Sequence, residues 1–572
     1  MGGGLMQLVA YGAQDVYLSG NPQITFFKVV YRRHTNFSVE AIQQTWNGAA
    51  DFGRTVTCNI NRNGDLITNM YVAVELNAIP VNNVAWGYVS RIGHAMIESV
   101  KIEIGGSKID EQYGDWLNIW YELTHKSGQV RGYSKLIGDV PELKNVSVNA
   151  KPRYQLYVPL QFWFNRNNGL ALPLIALQYH DVRVTLKFLD TKSIINYEGI
   201  NDISGSLGQL MKDSYLLIDY VYLDSEERKR FAQASHEYLI EQLQFTGSET
   251  LTTQNKFRLN FNHPSKYLVW APHLQQYANR ASYISYAFDN DWRAARDRFA
   301  KILAGACSTG LAYSPATSVA AGLISVNAAN AATGATSVTV AGDVIEPSRT
   351  LGVSNVPADI LSKIEVKFVV QAAPTGTASP IAVNAIGDSA SVIAKSFLDN
   401  SIVTRNDLSM ADISVTLPRL LGSLSSSSPI YSFLNLFNLN VVNYFNYGNY
   451  IDGSDNPVYQ GKLQLNGHDR FQVRDGHYFN YVQPFQHFSN TPADGINVYS
   501  FALKPEDHQP TGSCNFSRID NATLQVDLGY GNNKDDGTLA LAIGASSIMN
   551  IYTVNYNVLR VMSGMAGTAY SN

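Results

Sequence analysis

Charge is scarce in this sequence. Asp, Glu, Lys and Arg make up 16% of its 572 residues and nearly cancel, leaving a net charge of −4. A protein that packages or reads nucleic acid normally shows a basic face, so direct nucleic-acid binding is not expected. Cysteine is scarcer still. Cys58, Cys307 and Cys514 are odd in number and far apart, which excludes a disulfide framework and a paired-cysteine zinc site. They read as buried thiols in a reducing compartment. The first residues have no basic n-region and only a short apolar run, so a secretory signal is not expected. Met6 stands where myristoylation prefers Ser or Thr. No run reaches the roughly 18 apolar residues of a membrane helix. The nearest, 538–554, is broken by Ser547 and Asn550 and reads as strand material.

Signs of chemistry are missing as well. The glycine clusters, at the N-terminus and at Gly105-Gly106, precede no Lys-Ser/Thr and helix, so there is no phosphate-binding loop. Neither a Gly-x-Ser-x-Gly elbow nor a His-Glu-x-x-His pair occurs. His468, His477, His487 and His508 lie near Asp469, Asp475, Glu506 and Asp507, but no pair has metal-ligand spacing on one element. They read as turn residues between strands. No catalytic residue, metal or cofactor is expected. The run Glu226, Glu227, Arg228, Lys229, Arg230 reads as a solvated helix start with ion pairing. The basic-aromatic cluster Tyr31, Arg32, Arg33, His34 reads as part of an arm that docks on a neighbouring subunit or domain. Asn-x-Ser/Thr sequons at Asn36, Asn145, Asn515 and Asn521 are candidate glycosylation sites, a weak signal without a secretory context.

What is abundant is β structure and aromatic surface. Hydrophobic residues make up 45% of the chain, with 33 Tyr and 24 Phe. Few charges and many aromatics suit a surface destined to be covered by neighbours. The length calls for at least two domains. Runs at 55–60, 69–76, 99–104, 181–189 and 215–223 are rich in Val, Ile, Tyr and Thr and bracketed by turn residues, which predicts strands of a sandwich or barrel. A helix is predicted over 225–243, opened by Ser225 and the acids Glu226 and Glu227, with its later half already strand-like. A second helix is predicted over 291–305.

The sequence also repeats itself. Without gaps, 41–76 lies over 240–275, which sets Gly48 on Gly247, Asn61 on Asn260, Asn63 on Asn262 and Tyr71 on Trp270. The parallel resumes where 99–110 resembles 461–471, each a strand closed by a two-residue turn, Gly105-Gly106 or Asn466-Gly467. It continues with 156–186 against 496–526. A repeat this long is a whole domain. Between the early and late strands of the second copy lies a stretch at about 290–425, rich in Ala, Ser, Thr and Gly, with strand-like runs at 337–342 and 363–370. It reads as a long loop insertion.

Several blocks carry a family resemblance. LVAYGAQDVYLSGNPQITFFKVVYRRHTNF (8–37), FNRNNGLALPLIALQYHDVRV (164–184), INVYSFALKPEDHQPTGSCNFSRIDNATL (496–524) and NYNVLRVMSGMAGTAYSN (555–572) resemble the major capsid proteins of nucleocytoplasmic large DNA viruses, especially those of algae and protists. The resemblance implies an all-β fold of two tandem eight-stranded antiparallel jelly rolls with short helices. It divides the chain into an N-terminal arm (1–25), a first jelly roll (26–224) and a second (225–572) whose insertion forms an outward tower. It implies a homotrimer with a pseudo-hexagonal outline, set among neighbouring capsomers, minor capsid proteins and pentons in an icosahedral shell. The inner membrane would be met only indirectly, and the insertion is a candidate for host-surface contact. Synthesis and assembly in the host cytoplasm, with a place in the virion, go with it. A β-sandwich glycan-binding protein is the alternative, but it would want paired carboxylates or an aromatic platform.

Overall fold

In the computed structural model, residues 34–274 and 444–570 are described except 85, 146–147, 198–202, 450–452, 454 and 530–546; elsewhere only the helix Gly3–Val9, the helical turn Ala13–Asp15, scattered residues and short strands are. The main strands of the first half are β1 (Phe37–Thr45), β2 (Thr55–Asn59), β3 (Leu66–Leu76), β4 (Ile97–Ile104), β5 (Ser107–Tyr113), β6 (Tyr154–Pro159), β7 (Val182–Phe188) and β8 (Met211–Leu223). They form two antiparallel sheets, ordered β1-β8-β3-β6 and β2-β7-β4-β5.

The second half repeats this plan. Its strands are β9 (His236–Thr250), β10 (Gln254–Arg258), β11 (Pro264–His273), β12 (Val458–Leu465), β13 (His468–Asp469), β14 (Asn497–Ser500), β15 (Ala522–Leu528) and β16 (Ile548–Met562). The sheet orders are β9-β16-β11-β14 and β10-β15-β12-β13, so every strand pairs as its counterpart eight places earlier does. Even the short strands Leu172–Pro173 and Cys514–Asn515 add to β3 and β11 in the same way. This order in both halves is the double jelly roll.

Local sequence accounts for these elements. In β7 (VRVTLKF) and β15 (ATLQVDL) every second side chain is buried, as one face of a sandwich requires. The turns after β4 and β12 put φ of 58° and 83° on Gly105 and Gly106, and 51° and 81° on Asn466 and Gly467. Two consecutive positive φ values make the tight hairpin whose twist matches its strands.

The repeat holds in space, with one slip. Gly48 and Gly247 take φ of 101° and 96°, equivalent left-handed corners. The match of Tyr71 to Trp270 is corrected. Val72 and Val74 point into the first core, so Tyr71 faces outward, whereas Trp270 packs inside the second. The strands are offset by one residue, and Tyr71 takes the outward place that Val269 has.

The helix expected over 225–243 ends sooner. α2 spans Ser225–Gln233 and β9 starts at His236, with Asp224 rather than Ser225 preceding the first turn. Val338–Val340 is a strand in a small sheet with Ile324–Val326 and Asp343–Ile345. The runs at 291–305 and 363–370 lie outside the described residues, as does Cys307. Residues 548–554 are strand, within β16. Cys58 is buried and Cys514 half-buried, both unpaired, and burial pushes the Cys58 thiol up to about 11.

The cores are not two equal halves. One buried cluster runs from inside the first sandwich out onto the outer face of the sheet β9-β16-β11-β14. The interior of the second sandwich is a separate cluster around Trp270, Phe479 and Phe516. The two jelly rolls are therefore joined by a continuous apolar seam.

Candidate functional site: the seam between the jelly rolls

After β5 the chain turns at Gly114 into the helix α1 (Gly114–Thr124). A side chain at Gly114 would meet the carbonyls of His94 and Ile97 at 2.2 and 2.3 Å, so only glycine lets the helix leave the strand here. α1 lies on the outer face of the second jelly roll's first sheet. The Trp116 ring sits 5.5 Å from that of Tyr552 and 6.4 Å from that of Tyr267. Trp120 receives the Arg166 guanidinium over its face at 4.8 Å, a cation–π contact.

Three carboxylates line this seam, Asp110 and Glu241 buried and Asp115 half-buried. Asp115, on the first turn of α1, accepts hydrogen bonds from Tyr447 (2.6 Å), Tyr552 (2.9 Å) and the amide of Asn550 (3.1 Å), and His273 lies 3.5 Å away. Burial would raise its pKa, but His273 and these donors outweigh it and hold the carboxyl at about 2. Glu241 on β9 pairs with Lys266 at 2.8 Å, with Arg166 of the first jelly roll at 3.1 Å and with His508 at 3.4 Å. Against the cost of burial, led by Arg166, these partners hold Glu241 at about 2. The fully buried Lys266 ammonium is lowered by burial, and Glu241 opposes that shift. Asp110 on β5 accepts the Leu243 amide of β9 at 2.9 Å and Gln112 at 3.2 Å. Among the described residues it makes no ion pair, and burial, only partly opposed by hydrogen bonds and the more distant Arg166, pushes it up to about 6.

Further bonds extend the seam at both ends. Gln242 donates to the carbonyl of Ile109, and Asn490 to that of Glu122 at 2.8 Å. The amide of Tyr179 donates to Gly564 at 2.9 Å. A small groove of about 210 Å³ opens beside it between Tyr113, Phe245 and Asn262. Asp115 and Glu241 each hold several partners, at least one of them on the other jelly roll, and that arrangement fixes orientation. Buried ion pairs stabilise little in net terms but penalise wrong registers strongly. The chemistry is that of a rigid joint.

The residues singled out in the sequence do not converge. His477 pairs with Asp475 at 2.6 Å, His487 meets the carbonyl of Leu503 at 3.1 Å, and His468 is exposed on β13. Only His508 joins the seam. Among the described residues no three His, Cys, Asp or Glu side chains cluster to hold a metal. Arg228 of α2 bridges to Asp65 at 3.1 Å and Lys229 to Glu226 at 3.5 Å, as a solvated helix start would. Tyr31 and His34 are exposed, while Arg32 and Arg33 lie outside the described residues. Asn36, Asn145, Asn515 and Asn521 are all exposed, and the Asn515 side chain caps the amide of Ser517 at 3.1 Å. Asp110, Asp115, Arg166, Glu241 and Lys266 were not singled out. The signal for two of them was a charge inside an apolar strand run, Glu241 in YLIEQL and Lys266 in SKYLVW.

Two equivalent jelly rolls held by a rigid internal joint are the architecture to be matched against known shell-building proteins. The comparisons supply the match. The profile of the major capsid protein N-terminus matches residues 25–224, and that of the large eukaryotic DNA virus major capsid protein matches 227–344 and 398–567. Capsid protein 1 of Acanthamoeba polyphaga mimivirus is 40% identical, and the major capsid protein of Phaeocystis pouchetii virus 41%, each aligned over the whole of both chains. A chain of the PBCV-1 virus capsid superposes with a TM-score of 0.59 at 32% identity, covering 96% of this chain and 100% of its own. The Faustovirus major capsid protein, at 11% identity and a TM-score of 0.54, shares the fold. This chain belongs to the large eukaryotic DNA virus major capsid protein family and is a structural subunit of a virion shell.

Proposed function

We propose that the chain assembles as a homotrimer of pseudo-hexagonal outline that tiles an icosahedral shell, working by assembly and not by catalysis. The observation that carries this reading is the rigid side-by-side joining of two equivalent jelly rolls. Three such chains bring six equivalent units around one axis, and closed cyclic symmetry stops growth at three. Trimer contacts would be large and apolar, and contacts between capsomers smaller and more polar. Minor capsid and penton proteins are the further partners, with the inner membrane reached through them.

Residues 1–25 serve as an arm at the capsomer base. The insertion at about 290–425, carried between β11 and β12, forms an outward tower available for host-surface contact. Synthesis and assembly take place in the host cytoplasm. The exposed sequon asparagines are candidate glycan acceptors, which the intact mass of virion protein tests. The deciding experiment is light scattering with electron microscopy of the purified protein. A particle of three times 63.1 kDa with a hexagonal outline supports the reading, and a persistent monomer overturns it.

A further inference from the structure

The seam inside the chain has a counterpart that stays open. The second jelly roll's first sheet presents Tyr267, Val269, Tyr552 and Val554 outward, and the first jelly roll buries all four to 2% exposure or less. The equivalent face of the first jelly roll carries Tyr71, Leu217, Tyr157 and Tyr215, and all four remain partly exposed. They form one patch, because Tyr71 lies opposite Leu217 across β3 and β8, and Ala73 sits between Tyr157 and Tyr215. At the margin, Phe37 and Val39 of β1 are 58% and 54% exposed.

The covering element is unmatched in the same way. Within the chain, α1 follows β5 and delivers Trp116 and Trp120 to the covered face. In the second jelly roll the same place, between β13 and β14, holds the π-helical turn Tyr478–Val482 and the helix α3 (Gln483–His487). Val482 and Phe485, three residues apart and so on one helical side, are 40% and 83% exposed. Among the described residues, each chain thus has one largely apolar sheet face without a covering helix and one helical turn whose exposed apolar side chains, Val482 and Phe485, meet no sheet. A pair of different, complementary surfaces makes a head-to-tail contact, which closes into a ring when the rotation allows.

We propose that a second copy of this chain fills the open face: Val482 and Phe485 of one subunit pack on the Tyr71–Leu217 patch of the next, repeating between subunits the contact that α1 makes within one. This rests on the trimer reading and names its surfaces. Both surfaces lie outside the buried cores, so substitutions there leave the fold intact.

The test uses the full chain with Cys307→Ser and Cys514→Ser, Cys58 being buried, and a short bismaleimide as the linker. Leu217→Cys together with Phe485→Cys in one chain should give covalent two- and three-chain species on a denaturing gel. Either cysteine alone should give none. Phe485→Asp should convert trimer to monomer at micromolar concentration while the far-UV circular dichroism of the folded chain stays unchanged. Self-coupling of the Phe485→Cys single variant would mean a twofold contact and overturn the pairing. A trimer by light scattering that resists both the linker and Phe485→Asp would overturn the pairing while leaving the trimer reading intact. A wild-type monomer would overturn both.

Discussion

Tyr552 of β16 donates its hydroxyl to Asp115 of α1 at 2.9 Å, so a carboxylate of the first jelly roll is held by a strand of the second. Asn550, one outward position along the same strand, donates to the same oxygen at 3.1 Å. Removing the carboxylate strands three donors in an apolar joint. Asp115→Ala should destabilise the chain by about 3 kcal/mol, read as a lower midpoint in thermal or denaturant unfolding. Its pH dependence has a definite sign. The folded pKa of about 2 lies below the ordinary 3.8, so the stabilisation is full above pH 4 and is lost as pH falls toward 2. Over that window the wild type should lose roughly 2 kcal/mol more than Asp115→Ala.

The sheets were legible in the sequence because their signals are local. Alternation in VRVTLKF and two-residue turns at Gly105-Gly106 and Asn466-Gly467 are written within a few residues of where they act. The duplication was legible because the corner glycines, Gly48 and Gly247, must recur wherever the backbone turns left-handed. The one-residue slip between Tyr71 and Trp270 was not, since both are aromatic and only the direction of the side chain separates them. Nor was the seam. In the sequence Asp115 is an ordinary acid in a helix's first turn, and its partners Tyr447, Asn550 and Tyr552 come from more than 300 residues away. Tertiary packing alone gives such a residue its role.

Asp110 predicts the opposite pH behaviour. Its pKa of about 6 lies above the ordinary 3.8, with burial as the cause. The folded state therefore holds the proton more tightly. The associated stability is present below pH 4 and is lost as pH rises through 6. Asp110→Asn keeps an acceptor for the Leu243 amide and removes the buried charge. It should raise stability at pH 7.5 by about 1–3 kcal/mol and leave it little changed at pH 4. Melting temperatures of the two proteins at both pH values check this, and equal shifts at the two would refute it.

Glu241 and Lys266 form the most deeply buried ion pair in the seam, with side chains 5% and 0% exposed. Lys266→Met leaves Glu241 with Arg166 and His508, while Glu241→Gln leaves Lys266 without its carboxylate. Each single change should cost about 3–5 kcal/mol, because one charge stays behind. The double variant should cost less than the sum of the two. A double-mutant cycle on unfolding free energies measures that coupling, and strict additivity would show that the two charges act independently.

Two glycines near β5 separate steric crowding from backbone strain. Gly114 sits where an added methyl would press on two backbone carbonyls, of His94 and Ile97, at 2.2 and 2.3 Å. Neither can move without breaking the start of α1, on which Asp115 and Trp116 depend. Gly106 has open space around it but holds φ at 83°. Gly106→Ala therefore meets only the left-handed backbone penalty of about 1–2 kcal/mol, confined to an exposed hairpin. Gly114→Ala should cost about 3 kcal/mol or more and displace α1 from the second jelly roll. Fluorescence separates the two variants further. Trp116, wedged between Tyr552 and Tyr267, should become accessible to a quencher in Gly114→Ala and stay shielded in Gly106→Ala. If both variants lost the same stability and kept the same shielding, the close packing at Gly114 would not be what fixes the helix on the sheet.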